Sequence, residues 1–128
     1  MGQRAKRAVL IVDDDAQHLE LLAIKLSAEN WRLVVAQSGE EALHRIMLEK
    51  PGLVILDILM PGMSGLETLK KIKDLDPGIP VVMVSAVWDG EEVKRCTEAG
   101  CSDYVTKPID FERLKSIVLN SFLGSKGG

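Results

Sequence analysis

The sequence predicts an α/β fold in which a five-stranded parallel sheet is doubly wound, with helices on both faces. Two observations carry this expectation. Strand-length apolar runs at residues 8–12, 53–56 and 81–84 are continuous rather than alternating, which is the pattern of strands buried on both faces. Between the runs lie stretches with apolar residues at helical spacing, and such alternation favours parallel strands joined by right-handed crossovers.

The first expected strand, residues 8–12, ends in Asp13, Asp14 and Asp15. Asp15 is placed to cap a helix reaching to about residue 29, in which Leu19, Leu22 and Leu26 form an apolar stripe. A second strand is expected at 31–36. Ser38 and Gly39 then open a helix carrying Ala42, Leu43, Ile46 and Met47, which Lys50, Pro51 and Gly52 end. The third strand closes on Asp57 and is followed by a loop punctuated by Pro61, Gly62 and Gly65. Leu66, Leu69 and Ile72 mark a third helix, stopped by Asp76, Pro77 and Gly78. Residues 81–86 read as a fourth strand, with the Ser85 hydroxyl near its end. A polar helix over about 90–99 is closed by Gly100 as a left-handed cap. The fifth strand, 103–106, delivers Lys107 and Pro108, and the last helix spans about 111–122 with Leu114, Ile117, Val118 and Phe122 inward. The domain is thus expected over residues 8–122, between a flexible N-terminus at 1–7 and a flexible tail or linker start at 123–128.

Composition narrows the function classes. With 128 residues the chain accommodates one domain, and 46% hydrophobic with 27% charged residues is ordinary for a soluble globular protein. A net charge of −3 leaves no electrostatic footprint for direct nucleic-acid or membrane binding. The basic residues Arg4, Lys6 and Arg7 are few and terminal. No apolar run approaches the roughly 20 residues of a membrane span, and no signal-peptide core is present, so a cytoplasmic location is expected. Cys96 and Cys101 lack the further His or Cys of a metal set and read as reduced packing residues.

In open α/β sheets ligands bind at the carboxyl ends of the strands. Those ends carry Asp13 and Asp14, then Asp57, Ser85 and Lys107. Two like charges about 4 Å apart repel by roughly 4 kcal/mol at an effective dielectric near 20, and one lysine cannot offset three acids. Either a carboxylate takes up a proton or a cation binds. Oxygen-only ligands point to a hard ion such as Mg²⁺. A hard cation facing a lysine and a small hydroxyl can hold a phosphoryl group for in-line attack by a carboxylate.

With these residues in order, the chain resembles a response regulator receiver domain of two-component signal transduction over roughly residues 8–122. The resemblance rests on the acidic pair after the first strand, the Asp57, Pro61, Gly65 spacing, Ser85 with Ala86, and Lys107 with Pro108. It implies a flavodoxin-like strand order of 2-1-3-4-5. It further implies that Asp57 is a phosphoacceptor served by a histidine kinase or phosphotransfer protein, so that the chain is a phosphoprotein. Mg²⁺ would be held by Asp14, Asp57 and the Leu59 backbone carbonyl, with Asp13 acting through water. Lys107 would pair with phosphoryl oxygens, and its peptide to Pro108 would be cis. Ser85 and Tyr104 would form the switch, biasing a partner surface on the fourth helix, fifth strand and fifth helix toward an unidentified downstream protein, with phosphorylation-dependent dimerisation an open issue. Trp88 is expected either to contact a partner or to cover the adjacent loop. Leu59 and Val87, two positions beyond Asp57 and Ser85, are apolar and offer no help to an attacking water. Slow self-dephosphorylation is the expectation, with no enzymatic activity beyond this and the chain's own phosphotransfer.

Two alternatives stand beside this reading. One is a haloacid-dehalogenase-like phosphatase with Asp13 as nucleophile and Asp15 as general acid, which leaves Asp57 without a role. The other is a receiver-like module that acts through protein contacts without phosphorylation. Neither the kinase nor the target is named by the sequence.

Overall fold

A computed structural model of the chain describes residues 7–28, 30–86 and 88–126. Five strands and five helices alternate as β1 (Arg7–Val12), α1 (Ala16–Leu26), β2 (Trp31–Ala36), α2 (Gly39–Glu49), β3 (Leu53–Asp57), α3 (Gly65–Leu75), β4 (Val81–Ser85), α4 (Gly90–Glu98), β5 (Asp103–Thr106) and α5 (Phe111–Lys126). The sheet is parallel throughout and runs β2-β1-β3-β4-β5.

The continuous apolar strands bury both faces because each face has its own helical layer. Val9, Ile11, Leu53, Ile55, Val82, Val84 and Val105 pack with Leu19, Leu22 and Leu26 of α1 and Leu114 and Val118 of α5. Their alternates Leu10, Val12, Val54, Leu56, Val81 and Met83 pack with Ala42 and Ile46 of α2, Leu69 and Ile72 of α3 and Cys96 of α4. Strand side chains point alternately to the two faces, so each residue's parity assigns its core.

Helix ends follow local chemistry. Asp15 accepts from the backbone N–H groups of Gln17 and His18, and Ser64 with Glu67 forms a complete capping box. Residue Lys50 caps α2 in the left-handed region at φ 48°, and Gly100 takes φ 104° after α4. Several boundaries differ from the sequence expectation. Helix α1 stops at Leu26, because Ser27 is extended and the Trp31 indole donates to the Leu26 carbonyl at 2.9 Å. Strand β4 ends at Ser85 rather than at residue 86. Helix α5 continues through Lys126, since Gly124 lowers helix propensity without removing a backbone donor. Arg7, expected in the N-terminal segment, pairs with Trp31 in the sheet, and the expectations for residues 1–6, 127 and 128 lie outside the described residues. Met47, expected on the apolar face of α2, is 65% exposed. Both Cys96 and Cys101 are free thiols, and burial pushes Cys96 up to about 11, consistent with packing rather than reactivity.

The loop after β3 is folded back on its own strand. The N–H of Gly65 donates to the Ile58 carbonyl at 2.9 Å, and a Cβ at Gly65 would lie 2.4 Å from the Asp57 carbonyl oxygen and 2.5 Å from the Ile58 Cα. Only glycine permits this approach, and backbone on the far side cannot step aside. Gly65→Ala is therefore expected to lower stability by about 2–3 kcal/mol, read as a reduced urea midpoint at unchanged slope.

Candidate functional site

Strand register assembles the site. Val12 pairs with Leu56, so Asp13 and Asp57, each one residue further on, emerge side by side from β1 and β3. On the other flank, Asp57 pairs with Val84 of β4. The carboxylates Asp13 and Asp57 continue the parity of Ile11 and Ile55, toward the α1 and α5 layer, and Lys107 continues that of Val105. Ser85 has the opposite parity, that of Met83, which pairs with Tyr104 in the other layer.

The Lys107 ammonium lies 3.3 Å from Asp57 Oδ2, and the Leu59 N–H donates to Asp57 Oδ1 at 3.3 Å. One oxygen from each of Asp13, Asp14 and Asp57 falls within 4.8 Å of the others. Asp13 and Asp57 are buried, while Asp14 is exposed. Burial first and the Asp13 charge second raise the Asp57 carboxyl above its ordinary 3.8, against the opposing pull of Lys107 and the Leu59 N–H. One ammonium thus leaves the pocket with unbalanced negative charge. An all-oxygen donor set suits a hard divalent cation, and the three aspartates are the residues that could hold it. The Lys107–Pro108 peptide is cis, and the Lys107 N–H donates to the Ser85 carbonyl at 2.8 Å.

A second arrangement adjoins the first through Ser85, which is buried. Tyr104 is also buried, and its hydroxyl donates to the Glu92 carboxylate of α4 at 2.9 Å. Burial and the Glu92 carboxylate push the tyrosine hydroxyl up to about 12, while a side-chain hydrogen bond with Ser85 acts in the other direction. Trp88 meets the Tyr104 ring edge to face, centroids 5.7 Å apart, yet is 68% exposed. It covers the tyrosine and still presents most of its surface to solvent, so both roles expected for it remain compatible with its position.

The Asp15 carboxylate is occupied by the α1 cap, which leaves it poorly placed for the general-acid role of the phosphatase alternative. The Leu59 side chain is 66% exposed at the mouth, and Val87 lies outside the described residues. Sequence reasoning missed His18 and Glu92. His18 Nδ1 is bonded to Asp13 Oδ2, and its place in the first turn after a strand-end aspartate was the available signal. Glu92 was legible only as a first-turn acid of α4. Cavity size does not mark the site: a concavity of about 890 Å³ opens at the amino end of the sheet, beside Lys50, Leu53 and Pro80. No helix among the described residues is long and apolar enough to cross a membrane.

Comparison with known proteins gives a consistent picture. The family model for the response regulator receiver domain matches residues 9–119. The transcriptional regulatory protein ZraR of Salmonella typhimurium is 38% identical over 112 residues, 88% of this chain but 25% of that protein. A cyclic di-GMP phosphodiesterase of Thermotoga maritima is 37% identical over 107 residues, 84% of this chain and 28% of that protein. The chain therefore spans about a quarter of the length of these curated relatives. Among solved structures, a response regulator receiver domain protein (CheY-like) from Methanospirillum hungatei superposes with a TM-score of 0.87 at 30% identity, covering 97% of this chain and all of that one.

The raised Asp57 pKa has a signed consequence. The folded state holds this proton more tightly than the unfolded chain, so the ionised group destabilises the fold above its folded pKa, and stability is recovered as pH falls through that value toward 3.8. Asp57→Asn is expected to stabilise the metal-free protein at pH 7, read as a raised urea midpoint at unchanged slope. The gap to wild type should narrow as pH falls toward 3.8, measured by paired urea titrations.

Proposed function

The chain belongs to the response regulator receiver domain family, and we propose that Asp57 is the residue on which it accepts a phosphoryl group from a histidine kinase or phosphotransfer protein. The observation that carries this reading is the position of Asp57: buried at a strand end, in reach of one ammonium and flanked by two further carboxylates.

Asp14, Asp57 and the Leu59 carbonyl would hold Mg²⁺, with Asp13 acting through water. A bound Mg²⁺ would offset the charge on the phosphoryl oxygens and relieve the repulsion among the aspartates. An Asp57 oxygen attacks phosphorus in line as the bond to the donor nitrogen breaks, and Lys107 moves its ammonium from the carboxylate to a phosphoryl oxygen. The Ser85 hydroxyl turns toward the new acceptors. It thereby gives up its bond with Tyr104, which is how the charge change at Asp57 reaches α4. The output surface formed by α4, β5 and α5 then meets a downstream protein. Transcription and cyclic di-GMP hydrolysis, named for longer relatives, would belong to segments outside the matched region. A cytoplasmic location agrees with this chemistry, because intracellular kinases supply the phosphoryl group.

Incubation with acetyl phosphate and Mg²⁺ tests the assignment. Label should be lost in Asp57→Asn and persist, more weakly, in Asp13→Asn; the reverse pattern would overturn it in favour of Asp13 as nucleophile. The exposed, apolar Leu59 predicts a slow reset, because nothing at that position can orient water. Leu59→Asn should speed phosphoryl loss by about tenfold or more, and a rapid wild-type loss unchanged by the substitution would contradict this.

A further inference from the structure

His18 touches the acidic cluster yet has no part in the chemistry above. It stands in the first turn of α1, its own N–H fixed by the Asp15 carboxylate at 3.3 Å. The imidazole Nδ1 bonds Asp13 Oδ2, while Asp13 Oδ1 accepts the Asp15 backbone N–H at 3.0 Å. An ionised carboxylate only accepts hydrogen bonds, so in this pair the ring donates. Two donors on different oxygens fix the plane of the carboxylate, which neither donor would do alone. Asp13 is 2% exposed, so little water is at hand to replace a lost donor.

We propose that His18 is a positioning residue for the metal site: by holding Asp13 Oδ2 it sets the orientation of that carboxylate and, through it, the affinity for Mg²⁺. The inference rests on the reading that Asp14 and Asp57 hold Mg²⁺ with Asp13 acting through water. Groups that orient a metal-binding side chain from behind commonly change metal affinity by 10- to 100-fold when removed. Asp13 acts one step further out, through water, so the lower end of that range applies. His18 is only partly exposed, and its backbone already belongs to the α1 cap, so its side chain can be exchanged without disturbing the helix start.

The test is calorimetric titration of the intact chain with Mg²⁺, in wild type, His18→Leu and His18→Asn, and in Asp13→Asn with and without His18→Leu. The asparagine amide nitrogen occupies roughly the place of Nδ1 and keeps a donor there. His18→Leu should weaken Mg²⁺ binding about tenfold. His18→Asn should restore most of that affinity, and in the Asp13→Asn background His18→Leu should add almost nothing. Metal-free urea midpoints are measured alongside, because a role confined to folding would move them without the asparagine rescue. The inference is overturned if His18→Leu stays within about twofold of wild type, if Asn and Leu weaken binding equally, or if the loss persists without the Asp13 carboxylate. A wild-type protein that binds no Mg²⁺ would instead overturn the metal-site reading itself, and the inference with it.

Discussion

The structure depends on a carboxylate it does not neutralise by itself. Asp57 is 6% exposed, stands beside Asp13 and has one ammonium within 3.3 Å. Water would solvate such a group at little cost, but the end of a sheet buried on both faces does not. The surrounding chain is arranged to keep the carboxylate there: the Leu59 N–H donates to it, and the loop beyond folds back until Gly65 rests on the Asp57 and Ile58 backbone. The imbalance is what makes the site responsive, since an added cation or phosphoryl group changes the energy of a pocket already short of positive charge.

Strand parity divides the site into two halves with different duties. Asp13, Asp57 and Lys107 share the parity that faces α1 and α5, and they form the charged half. Ser85 has the opposite parity, where Tyr104 and, through its hydroxyl, Glu92 of α4 are found. The two halves meet at the strand ends, where the Lys107 N–H donates to the Ser85 carbonyl and the Ile58 N–H to the Val84 carbonyl. A charge change on one face of the sheet thus has a short covalent and hydrogen-bonded route to a helix on the other. The exposed Trp88 over the Tyr104 ring places an aromatic surface at the end of that route.

Topology explains why the acidic cluster lies at the carboxyl edge rather than in the concavity at the amino edge. Strand β1 lies inside the sheet, with β2 added on one side of it and β3, β4 and β5 on the other, so the connections after β1 and β3 diverge and leave a crevice between them. The segment after β1 brings Asp13 and Asp14 to it, and β3 itself ends on Asp57. Among the described residues, the concavity at the amino edge has no such cluster of three carboxylates.

Much of the fold and most of the candidate site were legible in the chain by itself. Continuous apolar strands, helical stripes and caps at Asp15, Ser38 and Gly100 are short-range physics, and β2, β3 and β5 have the bounds that their composition predicts. The acidic pair, Asp57, Ser85 and Lys107 were visible because a parallel sheet exposes whatever follows each strand. What only the tertiary structure decided was contact between residues far apart in sequence. Which helices cover which face, the side of the sheet on which Ser85 lies, and the hydrogen bonds of His18 to Asp13 and of Tyr104 to Glu92 depend on register and helix placement. A single strand-end residue, read locally, has two faces open to it. Only pairing with its neighbours selects one.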